Sequence, residues 1–218
     1  MLLFSDKNQV QIANAKMCVG MTRKLLMALA VSLVCLVTDA QNIPWGGVGL
    51  KTNLLYDATA TANLGVEVGL AQRWSVDVSG NCNSWNLIEG SRWKHWLIQP
   101  ELRFWTCDRF AGHFIAAHAI GGQYNFGGIR NNITIGKADF SQLTDYRFQG
   151  WAAGAGLAYG YAWVLSRHLN LEAEIGAGYI YTQYDQFKCV GCGKKIRTGV
   201  PFHYFGPTKA AINLVYIF

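Results

Sequence analysis

The sequence predicts an all-β fold, an eight-stranded antiparallel transmembrane β-barrel, and three observations carry that prediction. Half of the 218 residues are apolar and 13% are aromatic, yet only 15% are charged, against roughly 25% in an ordinary soluble domain. Past residue 40 there is no run of about 18 apolar residues from which a spanning helix could form. What remains is a series of eight segments, about ten residues each, in which apolar residues alternate with polar or small ones. That alternation is the signature of strands that face lipid on one side and a polar lumen on the other.

Taken in order, "GVGLKTNLLY" (47–56) is the first strand and "NLGVEVGLA" (63–71) the second, with Leu64, Val66, Val68 and Leu70 opposite Gly65, Glu67 and Gly69. In "WSVDVSGNCN" (74–83), Trp74, Val76 and Val78 oppose Ser75, Asp77 and Ser79. "KHWLIQPELRFW" (94–105) sets Trp96, Ile98, Leu102 and Phe104 against His95, Gln99, Glu101 and Arg103. Pro100 inside it must cost a ladder bond or mark a bulge. The fifth, "HFIAAHAIGGQYNF" (113–126), alternates poorly and its faces stay unassigned. In the sixth (149–165), Trp151, Leu157, Tyr159, Tyr161 and Trp163 oppose Ala and Gly. In the seventh (169–184), Leu171, Ile175, Tyr179 and Tyr181 oppose Asn170, Glu172 and Glu174. The eighth is "TKAAINLVYIF", read as a strand over 209–218, where Ile212, Leu214, Tyr216 and Phe218 share one side and Lys209, Ala211 and Asn213 begin the other.

The expected connections alternate in length. Long ones fall at 57–62, 84–93, 127–148 and 185–208; short ones at 72–73, 106–112 and 166–168. Outer-membrane barrels place short turns in the periplasm and longer loops outside, so both chain ends are expected on the periplasmic side and the long loops at the cell surface. A leader fits that location. In "MTRKLLMALAVSLVCLVTDAQN", Arg23 and Lys24 precede an apolar stretch, and Thr38-Asp39-Ala40 forms a small-residue cleavage site. Residues 21–40 are therefore read as a signal peptide, 41–218 as the barrel, and 1–20 as untranslated or unstructured. A β-sandwich would bury the same rings and solvate the same charges. Alternation does not separate the two folds; the leader, the loop parity and the last strand favour the barrel.

Eight strands enclose a space just wide enough for side chains to fill, so the barrel is expected to be plugged. The polar face then points inward. Lys51, Arg103 and His95 would supply the inward positives, and Glu67, Asp77, Glu101, Glu172 and Glu174 the negatives. The acid excess calls for trapped water, protonated carboxyls or basic partners not identified by the alternation. The formal charge of +6 drops once residues 1–40 are removed, to 15 basic against 11 acidic residues. No basic run interleaved with aromatics points to nucleic acid.

Four stretches, "KTNLLYDATATANLGVEVGL", "WKHWLIQPELRFW", "GGQYNFGG" and "GPTKAAINLVYIF", resemble a family of uncharacterised small outer-membrane barrel proteins from Bacteroidales, over roughly residues 48–218. The resemblance implies an eight-stranded barrel, often encoded near fimbrial or other surface-adhesin components, with no established activity and no cofactor. Tyr216 and Phe218 look like the C-terminal signal read by the barrel-assembly machinery. Outer-membrane lipid, lipopolysaccharide and fimbrial or other surface proteins are the partners this reading implies.

Four cysteines lie beyond the leader: Cys82, Cys107, Cys189 and Cys192. One C-x-x-C supplies two ligands where a structural zinc wants four, so a local Cys189–Cys192 disulfide is expected and no metal site. Lys188, Lys194, Lys195 and Arg197 make that outer loop basic, suited to lipopolysaccharide phosphates or an acidic partner, or simply to solubility. The alternative function is a lipid A- or phospholipid-modifying enzyme, which needs a Ser–His arrangement at the outer interface. Ser84 and His95, with Asp57 and Glu89, are its only candidates, and topology alone would bring them to one level. No catalytic residue is assigned.

Overall fold

The computed structural model describes residues 47–85, 91–129, 134–135, 138–191 and 193–218; the leader, Glu89 and Cys192 lie outside them. The strands are β1 (Val48–Asn53), β2 (Ala62–Ala71), β3 (Trp74–Asn83), β4 (Arg92–Trp105), β5 (Gly112–Gly127), β6 (Thr134–Ile135), β7 (Ala138–Asp139), β8 (Arg147–Val164), β9 (Leu169–Phe187) and β10 (Lys195–Ile217). Eight of them close into an antiparallel barrel in the order β1-β10-β9-β8-β5-β4-β3-β2, with β6 and β7 as a separate small hairpin. Closure removes both sheet edges, the groups that would otherwise invite pairing with another chain. No described helix is long and apolar enough to cross a membrane, which has no bearing on strands.

Most strand limits shift by one to three residues from the sequence reading, and two of the changes bear on the site. The first strand stops at Asn53 rather than residue 56, because the Asn53 side chain accepts the Leu55 N–H at 3.1 Å and starts helix α1 (Leu54–Ala58). Capping of this kind competes directly with continuation of a strand. The Asp57 carboxylate fixes the helix by accepting from Thr52 Oγ1 at 2.8 Å and Asn63 Nδ2 at 2.7 Å.

The last strand is longer than expected. It begins at Lys195, so Lys195 and Arg197 stand on a strand, and the expected loop 185–208 shrinks to 188–194. Gly199, Pro201, Gly206 and Pro207 made this stretch read as loop. The sheet absorbs them through register shifts between Arg197 and Val200 and between Pro207 and Lys209. A bulge accommodates a residue that cannot donate to the ladder. The Pro207 shift also changes phase: Phe202 and Tyr204 point inward before it, Lys209, Ala211, Asn213 and Val215 after it. Pro100 has the effect expected of it, since the β4–β5 pairing skips from Ile98–Gly121 to Glu101–His118.

The faces of β5 resolve as well. Phe114, Ala116 and His118 are buried inside, while His113, Ile115, Ala117 and Ala119 are exposed outside. Both faces are largely apolar because the inner one packs the barrel base, which is why alternation faded there. Trp105 and Phe114 lie with ring centroids 4.7 Å apart and fully buried. Phe110, in the β4–β5 turn at φ 62°, tucks beneath them, 6.1 Å from Trp105. Gly160 faces this plug, and a Cβ there would sit 2.3 Å from the Phe114 ring. Small residues on β8 thus make room for large ones on β5.

Outside, the outward positions separate into zones. At one level Trp74, Trp163, Tyr216 and Phe218 are exposed; at the other, Trp151, Tyr179 and Phe205, while Tyr159, paired with Ile115 and Ile175, lies between. Between them lie exposed Val78, Leu102, Ile115, Leu157, Ile175 and Ile212. No outward residue of β2, β3, β4, β5, β8 or β9 in this zone is charged. Trp96 and Trp151 donate their indole N–H groups to Gln123 and Gln183 at 3.3 and 3.4 Å, which turns the polar edge of the upper ring away from the apolar zone.

Candidate functional site in the barrel lumen

Directly above the aromatic base lies a buried ion cluster centred on Arg103, whose place is fixed by inward alternation along β4. Its guanidinium donates to four glutamates: Glu101 through Nε, Glu67 at 2.9 Å and Glu172 at 3.0 Å through Nη1, and Glu174 at 2.8 Å through Nη2. Arg103 also stacks over Phe114, 4.4 Å from the ring centroid. Few side chains other than arginine could serve four carboxylates at once, because its planar fork carries five donors.

Two lysines flank it. Lys51 of β1 reaches Glu172 at 2.9 Å and Glu67 more closely, and Lys209 of β10 pairs with Glu101 and Glu174, the latter at 3.1 Å. Ser75 donates to Glu67 and accepts from Trp105 Nε1 at 2.8 Å, which ties the cluster to the base. Six strands, β1 to β4 with β9 and β10, meet here. Ion pairs out of water stabilise only when their remaining hydrogen-bond sites are also served, and the cluster meets that condition for most of its atoms.

Glu172 Oε1, Glu174 Oε1 and Asp77 Oδ1 have no hydrogen-bond partner, and of the three residues Asp77 is the least served. Its side chain is 3% exposed, its one ion contact is Lys51 at 3.9 Å, and its Oδ1 has no hydrogen-bond partner. Counting Lys51, Arg103 and Lys209 against Glu67, Asp77, Glu101, Glu172 and Glu174 leaves a formal excess of two negative charges in the cluster.

Above Asp77 the lumen opens into a cavity of about 590 Å³. Lys51, Asp77 and Lys209 form its floor, Asn81 and Gln99 belong to its polar wall, and Tyr56, Trp93, Tyr124 and Phe126 ring its upper part. His118 borders the same region: Nε2 lies 2.9 Å from Thr208 Oγ1, and the ring packs against Gly156 and Gly176. The family model described as a protein of unknown function, DUF3575, matches residues 25–218, the whole barrel included. The chain belongs to this family. No curated protein and no solved structure matches it.

Within this DUF3575 barrel the residues singled out by sequence fall into three groups. Lys51, Glu67, Asp77, Glu101, Arg103, Glu172 and Glu174 converge in the ion cluster. His95 does not join them. It stands higher, among Tyr56, Trp93 and Phe126 at ring-centroid distances of 6.3, 6.2 and 5.8 Å. Lys209 was missed as an inward cation, although its parity with Ala211 and Asn213 places it on the inner face; it is a basic partner that the acid excess demanded.

The outer basic residues spread apart. Lys188 and Lys194 lie in the β9–β10 turn, closed by a 3.2 Å Lys188 N–H to Lys194 carbonyl bond. Lys195 and Arg197 stand on β10, and Lys195 pairs with Asp185 at 2.6 Å. That hydrogen bond, first, and the Gly199 N–H at 2.9 Å hold the Asp185 carboxyl below its ordinary range against the opposing effect of burial. Cys189 is disulfide-bonded; Cys192, its expected partner, falls outside the described residues. Cys82 is disulfide-bonded too, which the sequence reading did not foresee, and Cys107 is free and exposed.

Among the described enzyme candidates, Ser84, His95 and Asp57, no two are hydrogen-bonded to each other. Asp57 is engaged in capping contacts with Thr52 and Asn63. Tyr216 and Phe218 pack edge to face at 5.0 Å on the outside of the barrel, and the Phe218 N–H bonds the Val48 carbonyl at 3.0 Å.

Proposed function

We propose that this barrel spans the outer membrane, closed at its periplasmic end, and acts as a structural and interaction platform for surface components. One observation carries the reading: an uncharged apolar zone on the outside of a closed barrel whose mid-strand charges point inside, bounded by two levels of aromatic residues. Twelve residue steps separate Trp151 from Trp163 on β8, about 40 Å along a strand. At the tilt usual for such barrels this becomes about 28–33 Å along the membrane normal, close to the apolar band and girdles of known outer-membrane barrels. In water, Leu157, Ile175 and Phe205 would form part of an apolar belt far larger than soluble monomers expose.

The aromatic base and the Arg103 cluster fill the lower lumen, so conduction is not the role this barrel suits. Its outward-reaching parts are the upper ends of β8, β9 and β10 and the connections above them. Together with the family resemblance, these favour contact with lipopolysaccharide and with a surface appendage, which the barrel would anchor or help assemble. Ser84 and His95, not hydrogen-bonded to each other, lend no support to a lipid-modifying enzyme. Spin labels at Leu157 and Ile175 in the reconstituted protein test the membrane reading: oxygen should reach them and a polar nickel reagent should not. Nickel access at both sites would overturn it. Cross-linking in cells from Lys188 and Lys194 is expected to capture an appendage subunit; no reproducible neighbour would sink the platform role.

A further inference from the structure

The geometry points to a ligand site in the upper lumen: the cavity above Asp77 binds a small organic ammonium ion. This goes beyond the platform role and stands whether or not that role is right, since it rests on the lumen alone. The volume, about 590 Å³, lies within the range of small-molecule sites, which are concave, largely preformed and furnished with few but well-placed polar groups.

The chemistry of the lining selects the class. Two side chains that line the cavity and are more than nine-tenths buried, Asp77 and Asn81, each carry an Oδ1 with no hydrogen-bond partner. Both atoms are acceptors, and a buried acceptor without a donor costs the folded state its lost hydration. A ligand that satisfies them must bring N–H or O–H groups. The charge then narrows the choice. Asp77 is the least compensated carboxylate of a cluster already two negative charges in excess, and Lys51 at 3.9 Å is closer to Glu67 and Glu172 than to it. Lys51 and Lys209 also line the floor, but each is paired with two glutamates behind it, Glu67 and Glu172 for the one, Glu101 and Glu174 for the other. The charge left facing the cavity is that of Asp77, which a cation offsets while donating to both free oxygens.

The upper wall fits the same ligand. Tyr56, Trp93, Tyr124 and Phe126 present aromatic rings around the cavity, and a cation passing an aromatic face is attracted by its quadrupole. The Tyr124 hydroxyl is itself held by Thr182 at 2.7 Å, and Trp93 stacks on Phe126 at 4.8 Å, so these rings are set in place before any ligand arrives. A primary amine with a short carbon skeleton places its ammonium on Asp77 and Asn81 and its apolar part among the rings. No bond is made or broken.

The test is titration of the purified full-length protein in detergent by calorimetry, with 1,5-diaminopentane and glucosamine as cationic probes, N-acetylglucosamine as the neutral control and glutarate as the anionic one. Saturable binding of at least one amine is expected, and neither control should match it. Asp77→Asn keeps the shape and removes the charge, and should weaken binding by about tenfold or more. Ala152→Trp fills the cavity from β8 without touching the ion cluster, and should abolish it. Heat-modifiable migration identifies the variants that still form the closed barrel. If Asp77→Asn does not fold, Ala152→Trp alone decides. No saturable binding by either amine, equal binding of a control, or amine binding unchanged in a folded Ala152→Trp barrel would each overturn the proposal.

Discussion

The lower and upper halves of the lumen are built from the same eight strands with the same alternation, yet they end as opposites. Below, Trp105, Phe110, Phe114 and Val215 pack the base, and Arg103, Lys51 and Lys209 between them pair with all four glutamates above it. Above, polar side chains face a cavity and several remain unmatched. The difference follows from the size of what points inward. In the lower half large residues of β4 and β5 lie opposite glycine and alanine of β8 and fill the section. In the upper half Ser79, Gly80, Gly122 and Ala152 bring too little volume to fill it. Stability is therefore expected to reside below and adaptability above.

The sharpest way to break this contrast is Arg103→Met, which keeps much of the side-chain length and removes the charge that four glutamates share. Uncompensated buried charge costs about 3–5 kcal/mol, enough to abolish the compact, heat-modifiable form on refolding into detergent. Phe114→Ala comes next, with an expected loss of about 3–5 kcal/mol for emptying the base, read from the denaturant midpoint of the same transition. Gly160→Ala attacks the same spot by overfilling and should cost about 1–3 kcal/mol. A Phe114→Leu background should recover part of that loss, whereas additive losses would show that the glycine serves something other than the Phe114 ring.

Upper-half substitutions should cost less. Tyr124→Phe gives up the hydroxyl contact with Thr182 and is expected to cost about 1 kcal/mol; a loss as large as that of Phe114→Ala would erase the distinction between the halves. The smallest effect concerns the β9–β10 end. The Asp185 carboxyl is held below its ordinary range by Lys195, so its contribution is complete above the unfolded carboxylate value and disappears as pH falls through the lower, folded one. Hydrogen exchange at the Gly199 amide should lose protection only in that acid window, and Asp185→Asn should make its protection independent of pH there.

Much of the site was legible because a strand has a period of two. Once Val66 and Leu171 face outward, Glu67 and Glu172 have no other place to go, and Arg103 and six of the charged residues that converge around it follow from that parity. His95 obeyed the same parity but landed a layer too high, since alternation gives the face of a residue and not its height. Lys209 escaped for the opposite reason: its face was plain, but the glycines and prolines before it hid the strand that sets its height.

Alternation, the scarcity of charge and the spacing of the turns were written in the chain by itself, because each is a local property of neighbouring residues. The stagger between strands and the bulge at Pro207 arose only with closure. They set which inward residues share a level, and so which carboxylates are paired and which one, Asp77, is left facing open space. Such pairings join residues as far apart as Lys51 and Glu172, and the energy that selects them exists only once the barrel has excluded water from its interior.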